Sequence, residues 1–282
     1  RARMMVGRSV NLAPDRVEVA VGAPRLSIKD LVVGGDRGVD AVRGLNLEVN
    51  GGEILGIAGI SGNGQRELAE AVSGLRPTIR GLVEIDGRSI DLRQPKSVRQ
   101  AGLAYVPEER MRDGAIGEFS VKENLILLNH AEAEQCQRGF LRFGAIGEHC
   151  RKLVDAFAVK TPDLETPAKN LSGGNIQKLI MARELSGNPK VLIAAQPTRG
   201  VDIGAAEYIH QRLARQRSKG TATVVISEDL DEVMALSDRI AVMFEGRIMG
   251  ILPREAASRE RIGLMMAGVD PESAVVDYCP TP

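Results

Sequence analysis

A short apolar strand, Glu53–Ala58, runs directly into Gly59-Ile60-Ser61-Gly62-Asn63-Gly64-Gln65-Arg66, and a helical pattern with Leu68, Ala69 and Val72 on one face follows at once. Strand, glycine loop and helix in that order commit a chain to an α/β fold. The loop turns successive N–H groups inward, and the helix adds its positive end to the same anion-sized space. The pattern that grips a nucleotide's phosphates reads GxxxxGK[ST]. Here Gln65 stands at the lysine position and Arg66 at the Ser/Thr position. Gly59, Gly62 and Gly64 keep the backbone shape, but the side chains that reach the β and γ phosphates and hold Mg²⁺ are gone. Losing a charge-assisted hydrogen bond costs about 1.5–3 kcal/mol, roughly ten- to a hundredfold in affinity. Arg66 facing inward would repel Mg²⁺. Taken alone, the loop also fits a glycine turn that holds no ligand.

Periodicity extends the reading along the chain. Residues 1–24, with Pro14 and Pro24 and no clean period, are expected to be a linker. Leu26–Val33, Leu45–Val49, Gly81–Ile85, Ala104–Val106, Lys190–Ala195 and Ala222–Ile226 read as strands. Arg239–Phe244 and Arg247–Leu252 read as a strand pair around Glu245-Gly246. Helices are expected at Gln65–Gly74, Val121–His130, Glu148–Phe157, Gly173–Leu185, Ala205–Gln216, Asp229–Leu236 and Ala256–Ala267. Alternating strands and helices predict a mostly parallel sheet covered on both faces. Val121–His130 and Glu148–Phe157, separated by a glycine-containing loop, predict a helical subdomain over about 120–170, inside a main domain of 25–270. A loose tail is expected at 271–282.

Composition narrows the functions. The chain has 282 residues and 43% hydrophobic content, enough for one large α/β domain with an insertion. Its formal net charge is +0, from 37 basic and 37 acidic side chains, so the basic excess of a dedicated nucleic-acid binder is missing and no nucleic-acid partner is expected. No apolar run approaches the roughly 20 residues of a membrane-spanning helix. Cys136, Cys150 and Cys279 lack metal-ligand spacing and suit a reducing compartment as inert thiols; no metal site is expected. His130, His149 and His210 are scattered. The chain starts at Arg1 rather than Met, and is expected to be a piece of something longer.

Leu171-Ser172-Gly173-Gly174-Asn175-Ile176-Gln177-Lys178, placed between the glycine loop and an apolar strand, resembles the signature of ATP-binding cassette (ABC) domains. The order of segments from about Leu26 to Gly268 agrees. The chain is most similar in pattern to the C-terminal cassette of the two-cassette ATP-binding proteins of bacterial sugar and nucleoside importers. Met5-Val6-Gly7-Arg8 resembles the end of a first cassette. Gly62-Asn63-Gly64-Gln65, Ala194-Ala195-Gln196-Pro197-Thr198-Arg199-Gly200 and Ser227-Glu228-Asp229-Leu230 look closer to the nucleoside branch than to the ribose branch. The resemblance implies a P-loop NTPase core of mostly parallel strands, an antiparallel β subdomain and an inserted α-helical subdomain.

Carried over residue by residue, the resemblance puts substitutions at one hydrolytic site. The Mg²⁺-anchoring Asp and the water-polarising Glu of the family fall on Ala195 and Gln196, with Pro197 and Thr198 holding the register. The switch His falls on Glu228, and the Q-loop Gln on Glu108, after Tyr105-Val106-Pro107. The D-loop Asp is kept as Asp202. An adenine-stacking aromatic is expected near 34–40, and the sequence has none there. Five positions, Gln65, Arg66, Ala195, Gln196 and Glu228, then argue against ordinary Mg²⁺-ATP hydrolysis at this loop.

In the family, two cassettes pack head to tail, so that one cassette's signature meets the other's nucleotide. The expectation is therefore an asymmetric ATPase. A partner cassette, upstream in the same polypeptide or a second copy, holds the competent ATP and Mg²⁺. Ser172, Gly173 and Gly174 complete that site, while this chain binds ATP weakly at its own and is inactive alone. Closure would pass through the Glu108 loop and the helical subdomain to transmembrane permease subunits, served indirectly by a solute-binding protein, at the cytoplasmic face of the membrane. Rival readings are a soluble ABC-type ATPase outside transport, which needs a coiled-coil insertion or a basic patch that the sequence lacks, and a non-catalytic scaffold. Ser172 also fits a plain helix N-cap.

Overall fold

The computed structural model describes residues 19–270. The Met5–Arg8 segment, Cys279, the tail 271–282 and most of the expected linker lie outside them. In chain order the strands are β1 (Pro24–Gly34), β2 (Asp40–Asn50), β3 (Ile54–Ala58), β4 (Thr78–Ile85), β5 (Arg88–Ser89), β6 (Leu103–Val106), β7 (Cys136–Gln137), β8 (Phe140–Leu141), β9 (Val191–Ala195), β10 (Ala222–Ser227), β11 (Arg239–Phe244) and β12 (Arg247–Pro253). The helices are α1 (Gln65–Val72), α2 (Pro95–Gln100), α3 (Val121–Ile126), α4 (Phe143–Ala156), α5 (Gly173–Leu185), α6 (Ile203–Ser218), α7 (Leu230–Leu236) and α8 (Arg259–Met266).

The central sheet runs β12-β11-β3-β10-β9-β6. All its pairings are parallel except that of β12 at the edge. Every residue of β3, β9 and β10 is buried, which is why these strands read as unbroken apolar runs. Alternate side chains serve opposite faces. Leu55, Ile57, Val191, Ile193, Val224 and Ile226 face one core, while Ile54, Leu192, Ala194 and Val225 face another. The first core is closed by α1 and by a second, antiparallel sheet, β2-β1-β4-β5, through Val42, Leu45, Leu47, Val49 and Val83. The second core is closed by α3, α4, α5 and α6. Each Leu, Ile or Val so buried contributes about 1.5–3 kcal/mol, enough to fix the register of both faces.

The helical region differs from the sequence expectation in three ways. The helix expected over Val121–His130 ends at Ile126. A capping box of Ser120 and Glu123 sets its start, but Asn129 N–H bonds back three residues to the Ile126 carbonyl and winds the chain into turns. The glycine-containing loop holds the small hairpin β7–β8, turned by Arg138 and Gly139 at φ 51° and 83°, the signs a type I′ turn requires. The next helix begins at Phe143, not Glu148. Gly144 and Gly147 weaken its propensity, but Ile146, Cys150 and Leu153 bury one stripe at helical spacing and outweigh them. Elsewhere the closing helix starts at Arg259 rather than Ala256, because the Ser258 hydroxyl accepts the Arg261 N–H as an N-cap. Burial pushes the Cys150 thiol up to about 11, which keeps it inert.

Behind the carboxyl ends of the central strands lies a buried polar cluster. Glu232 on α7 accepts from the Thr198 hydroxyl at 2.6 Å and lies 2.9 Å from His210 Nε2 on α6; both Glu232 and His210 are buried. Burial pushes the Glu232 carboxyl up, but hydrogen bonds from His210, Ser227 and Thr198 together outweigh it and hold the carboxyl below its ordinary 4.5. The native state thus holds that proton less readily than the unfolded chain. Its stabilisation is complete above pH 4.5 and is lost as pH falls through the lower native value. Glu232→Gln is expected to cost about 1–3 kcal/mol in urea unfolding at pH 7, with the gap from wild type closing below pH ~4.5. A gap that widens in acid would contradict this.

Candidate functional site

Loops from four central strands meet at one end of the sheet, outside the carboxyl ends where open α/β sheets bind ligands. Gly59 follows β3, Glu108 follows β6, Ala195 ends β9, and Glu228 follows β10. Gln65, Arg66, Glu108, Ala195, Gln196 and Glu228 line a single cleft there, enclosing about 30 Å³. Sequence positions more than a hundred residues apart are therefore neighbours, as the carried-over motifs require.

The glycine loop is held in shape from outside. Asn63 donates its amide to the Ile60 carbonyl at 3.0 Å, and its Oδ1 accepts the Glu245 N–H at 2.8 Å from the β11–β12 turn. Gly64 enters α1 at φ 102°, pressed against the Ala41 carbonyl and Met243, where any side chain would collide. Ile60 and Ser61 are exposed at the rim.

Gln65 and Arg66 both find partners within the protein. Gln65 is 8% exposed and donates its Nε2 to the Ile60 carbonyl at 3.0 Å, lying over Gly59. The neutral amide thus closes the loop on itself where a lysine would reach outward. Arg66 turns along the helix to Glu70, Nε to Oε1 at 2.7 Å, and that hydrogen bond holds its guanidinium charged. It does not point into the loop.

At the end of β9, Ala195 is buried and offers no ligand atom. Gln196 adopts φ 48°, donates its backbone N–H to the Ile226 carbonyl at 2.7 Å, and accepts the Glu228 N–H on Oε1 at 3.3 Å. The Glu228 side chain is exposed. Glu108 forms an ion pair with Arg199. The backbone geometry fits an anion, but the donor set does not fit Mg²⁺. Arg66 and Ala195, at the two positions expected to hold the cation, offer no side-chain oxygen.

The signature lies elsewhere on the surface. Ser172 is exposed and occupies the N-cap position of α5 with φ −66° and ψ 155°, yet its side chain caps no backbone N–H. Its hydroxyl instead accepts the Asn175 amide at 2.9 Å, and Asn175 Oδ1 accepts the Lys160 N–H at 2.9 Å. The start of this 13-residue helix therefore faces outward without a capping side chain, the arrangement that receives anions. Leu171 is half-buried, whereas Gln177 is 1% exposed and packs inside. Gly174 packs against Asp202, whose Oδ1 accepts the Ala205 N–H at 2.9 Å and caps α6.

Three side chains around these loops were given no role from the sequence: Arg110, Arg199, read there only as part of the Ala194–Gly200 phrase, and Glu232. Their partners lie between 22 and 91 residues away, a relation that no local pattern encodes.

Comparison with known proteins fits this geometry. An ABC transporter family model matches residues 42–199. The guanosine import ATP-binding protein NupO of Bacillus subtilis is 42% identical over 267 residues, 95% of this chain and 52% of that protein. The glucose import ATP-binding protein TsgD13 of Haloferax volcanii is 45% identical over 269 residues, 95% of this chain and 49% of that protein. The chain thus spans about half the length of the curated relatives it matches. Among solved structures, the ADP form of an ATP-binding cassette of an ABC transporter superposes with a TM-score of 0.66 at 22% identity, covering 88% of this chain and 96% of that one. A dimeric cassette in a post-hydrolysis state with ADP and Pi gives 0.68 at 22% identity, covering 81% and 98%. Among the described residues no helix is long and apolar enough to cross a membrane. With its four strand-end loops in one cleft and Ser172 exposed at the start of α5, the chain belongs to the ABC transporter family.

Proposed function

We propose that this chain is the degenerate cassette of a two-cassette importer for simple sugars or nucleosides. It lends its signature to the ATP site of a partner cassette and hydrolyses nothing at its own. The observation that carries this reading is the contrast between its two half-sites. In the phosphate loop, Gln65 bonds to the loop's own Ile60 carbonyl, while the helix start at Ser172 is exposed and uncapped. A half-site that closes on itself and one that faces outward suit a domain that acts on a nucleotide held by its neighbour. The dimeric post-hydrolysis cassette of similar fold and the import relatives of twice the length support such a pairing.

In this reading the partner supplies the lysine and carboxylates for one competent ATP and Mg²⁺. Ser172, Gly173 and Gly174 approach its γ-phosphate, with the hydroxyl and the helix N-terminus stabilising the charge. Asp202, beside Gly174, shapes the same edge. The Glu108 loop and the helical region carry closure to transmembrane permease subunits, with the protein peripheral at the cytoplasmic face.

Alone, the chain is expected to show no ATP turnover above background. Joined to or mixed with a competent cassette it should support turnover, and Ser172→Arg should remove about a hundredfold or more of that activity. Full activity in the Ser172→Arg pair would sink the reading. Gln65→Lys in the isolated chain should tighten ATP binding about tenfold without restoring hydrolysis, since Ala195 and Gln196 remain. Fluorescent-nucleotide titration beside a phosphate-release assay measures both.

A further inference from the structure

One guanidinium ties three loops together. Arg110 donates Nη1 to the Gly173 carbonyl at 3.2 Å and Nη2 to the Gly200 carbonyl at 3.3 Å. Gly173 is the first helical residue of the signature, and Gly200 opens the turn that leads to Asp202. The fit is close on both sides. A Cβ on Gly173 would lie 3.3 Å from Nη1 and 3.5 Å from the Gly200 carbonyl, and one on Gly200, where φ is +63°, would lie 3.0 Å from Nη2. A planar fork with fixed donors can hold two carbonyls at once; a lysine or an amide cannot span both in the same geometry.

Arg110 belongs to the loop after β6, which continues from Glu108 into a single π-helical turn at Arg110–Gly114, closed by the Ala115 N–H on the Arg110 carbonyl at 2.8 Å. The far end of this loop is fastened to the same helix. Arg183 on α5 donates Nη2 to the Gly114 carbonyl at 2.7 Å, both groups buried, and a Cβ on Gly114 would lie 2.5 Å from Ile180 Cδ1. Arg183 is itself fixed by Glu184 at 3.0 Å, which also holds Arg99 at 2.9 Å. The loop therefore lies along α5, attached at the helix start and again ten residues on, about 15 Å away. Besides its chain link to β6 and the Arg110–Gly200 bond, the loop meets the turn after β9 through the Glu108–Arg199 ion pair. Arg199 is 56% exposed, and an ion pair so exposed is weak and screened by salt.

We propose that Arg110 is a positioning residue that transmits the state of the 107–114 loop to the signature turn and the Asp202 turn, and through them to a nucleotide held by the second cassette. This rests on the reading that the signature serves a partner's site. It adds that the coupling loop of this cassette acts across the pair through Arg110, while Glu108 in the same loop is engaged by Arg199 and does not report on its own phosphate cleft.

The test is steady-state ATPase of the chain joined to or mixed with its competent cassette, comparing Arg110→Ala, Arg110→Lys and Ser172→Arg, with thermal unfolding of each. Arg110→Ala should lower kcat about tenfold and leave KM for ATP within about twofold, because the donor turn is misplaced and not removed. Arg110→Lys should recover part of that loss, and the unfolding midpoint should stay near wild type. If Ser172→Arg abolishes activity while Arg110→Ala keeps the wild-type kcat, the role of Arg110 is overturned and the signature reading stands. A drop in midpoint with kcat and KM moving together would assign Arg110 to stability alone and also overturn it. If Arg110→Ala fails to fold, Arg110→Gln decides by the same kcat and KM readout. A neutral Ser172→Arg overturns the underlying reading instead.

Discussion

The parallel hydrogen bonding of β3, β10 and β9 is the constraint on which the rest of the molecule depends. These strands are buried on both faces, so their ladders are shielded from water and their register cannot slip without exposing two cores together. Four loops leave the sheet at the same end, and their chemistry is set by where that end holds them. Glu232, behind it, is stable as a buried carboxylate because Thr198 and His210 supply donors from the turn after β9 and from α6. Sheet, buried cluster and loop ends act as one rigid platform.

On that platform the Gly59–Arg66 loop and the start of α5 are arranged in opposite ways. In and beside the phosphate loop the backbone keeps its anion-ready curl, while three side chains find internal partners: Gln65 the Ile60 carbonyl, Arg66 the Glu70 carboxylate and Gln196 the Glu228 N–H. The signature surface does the reverse. Its serine bonds sideways to Asn175 and leaves the helix start open.

How much of this was legible beforehand follows from the range of each interaction. The fully buried strands and the Gly62–Gly64 loop announce themselves, because burial on two faces demands unbroken apolar runs and positive φ demands glycine. The helix at Gly173–Leu185 was read to the residue. The helical region was read less well. Gly144 and Gly147 argue locally against a helix that Ile146, Cys150 and Leu153 hold in place through contacts elsewhere. The hairpin at Cys136–Leu141 has strands too short to show a period.

From sequence alone came the α/β class, the order of motifs, and the residue types that stand at Gln65, Arg66, Ala195 and Gln196. Those facts depend on residue type and local spacing, which a sequence states directly. Only the tertiary structure decided what the replacements do: that Gln65 turns inward, that Arg66 turns away, that Ser172 leaves its helix uncapped, and that Arg110 grips carbonyls 63 and 90 residues distant. A side chain's partner is chosen by the packing that brings distant backbone groups within about 3 Å, and no local pattern carries that information.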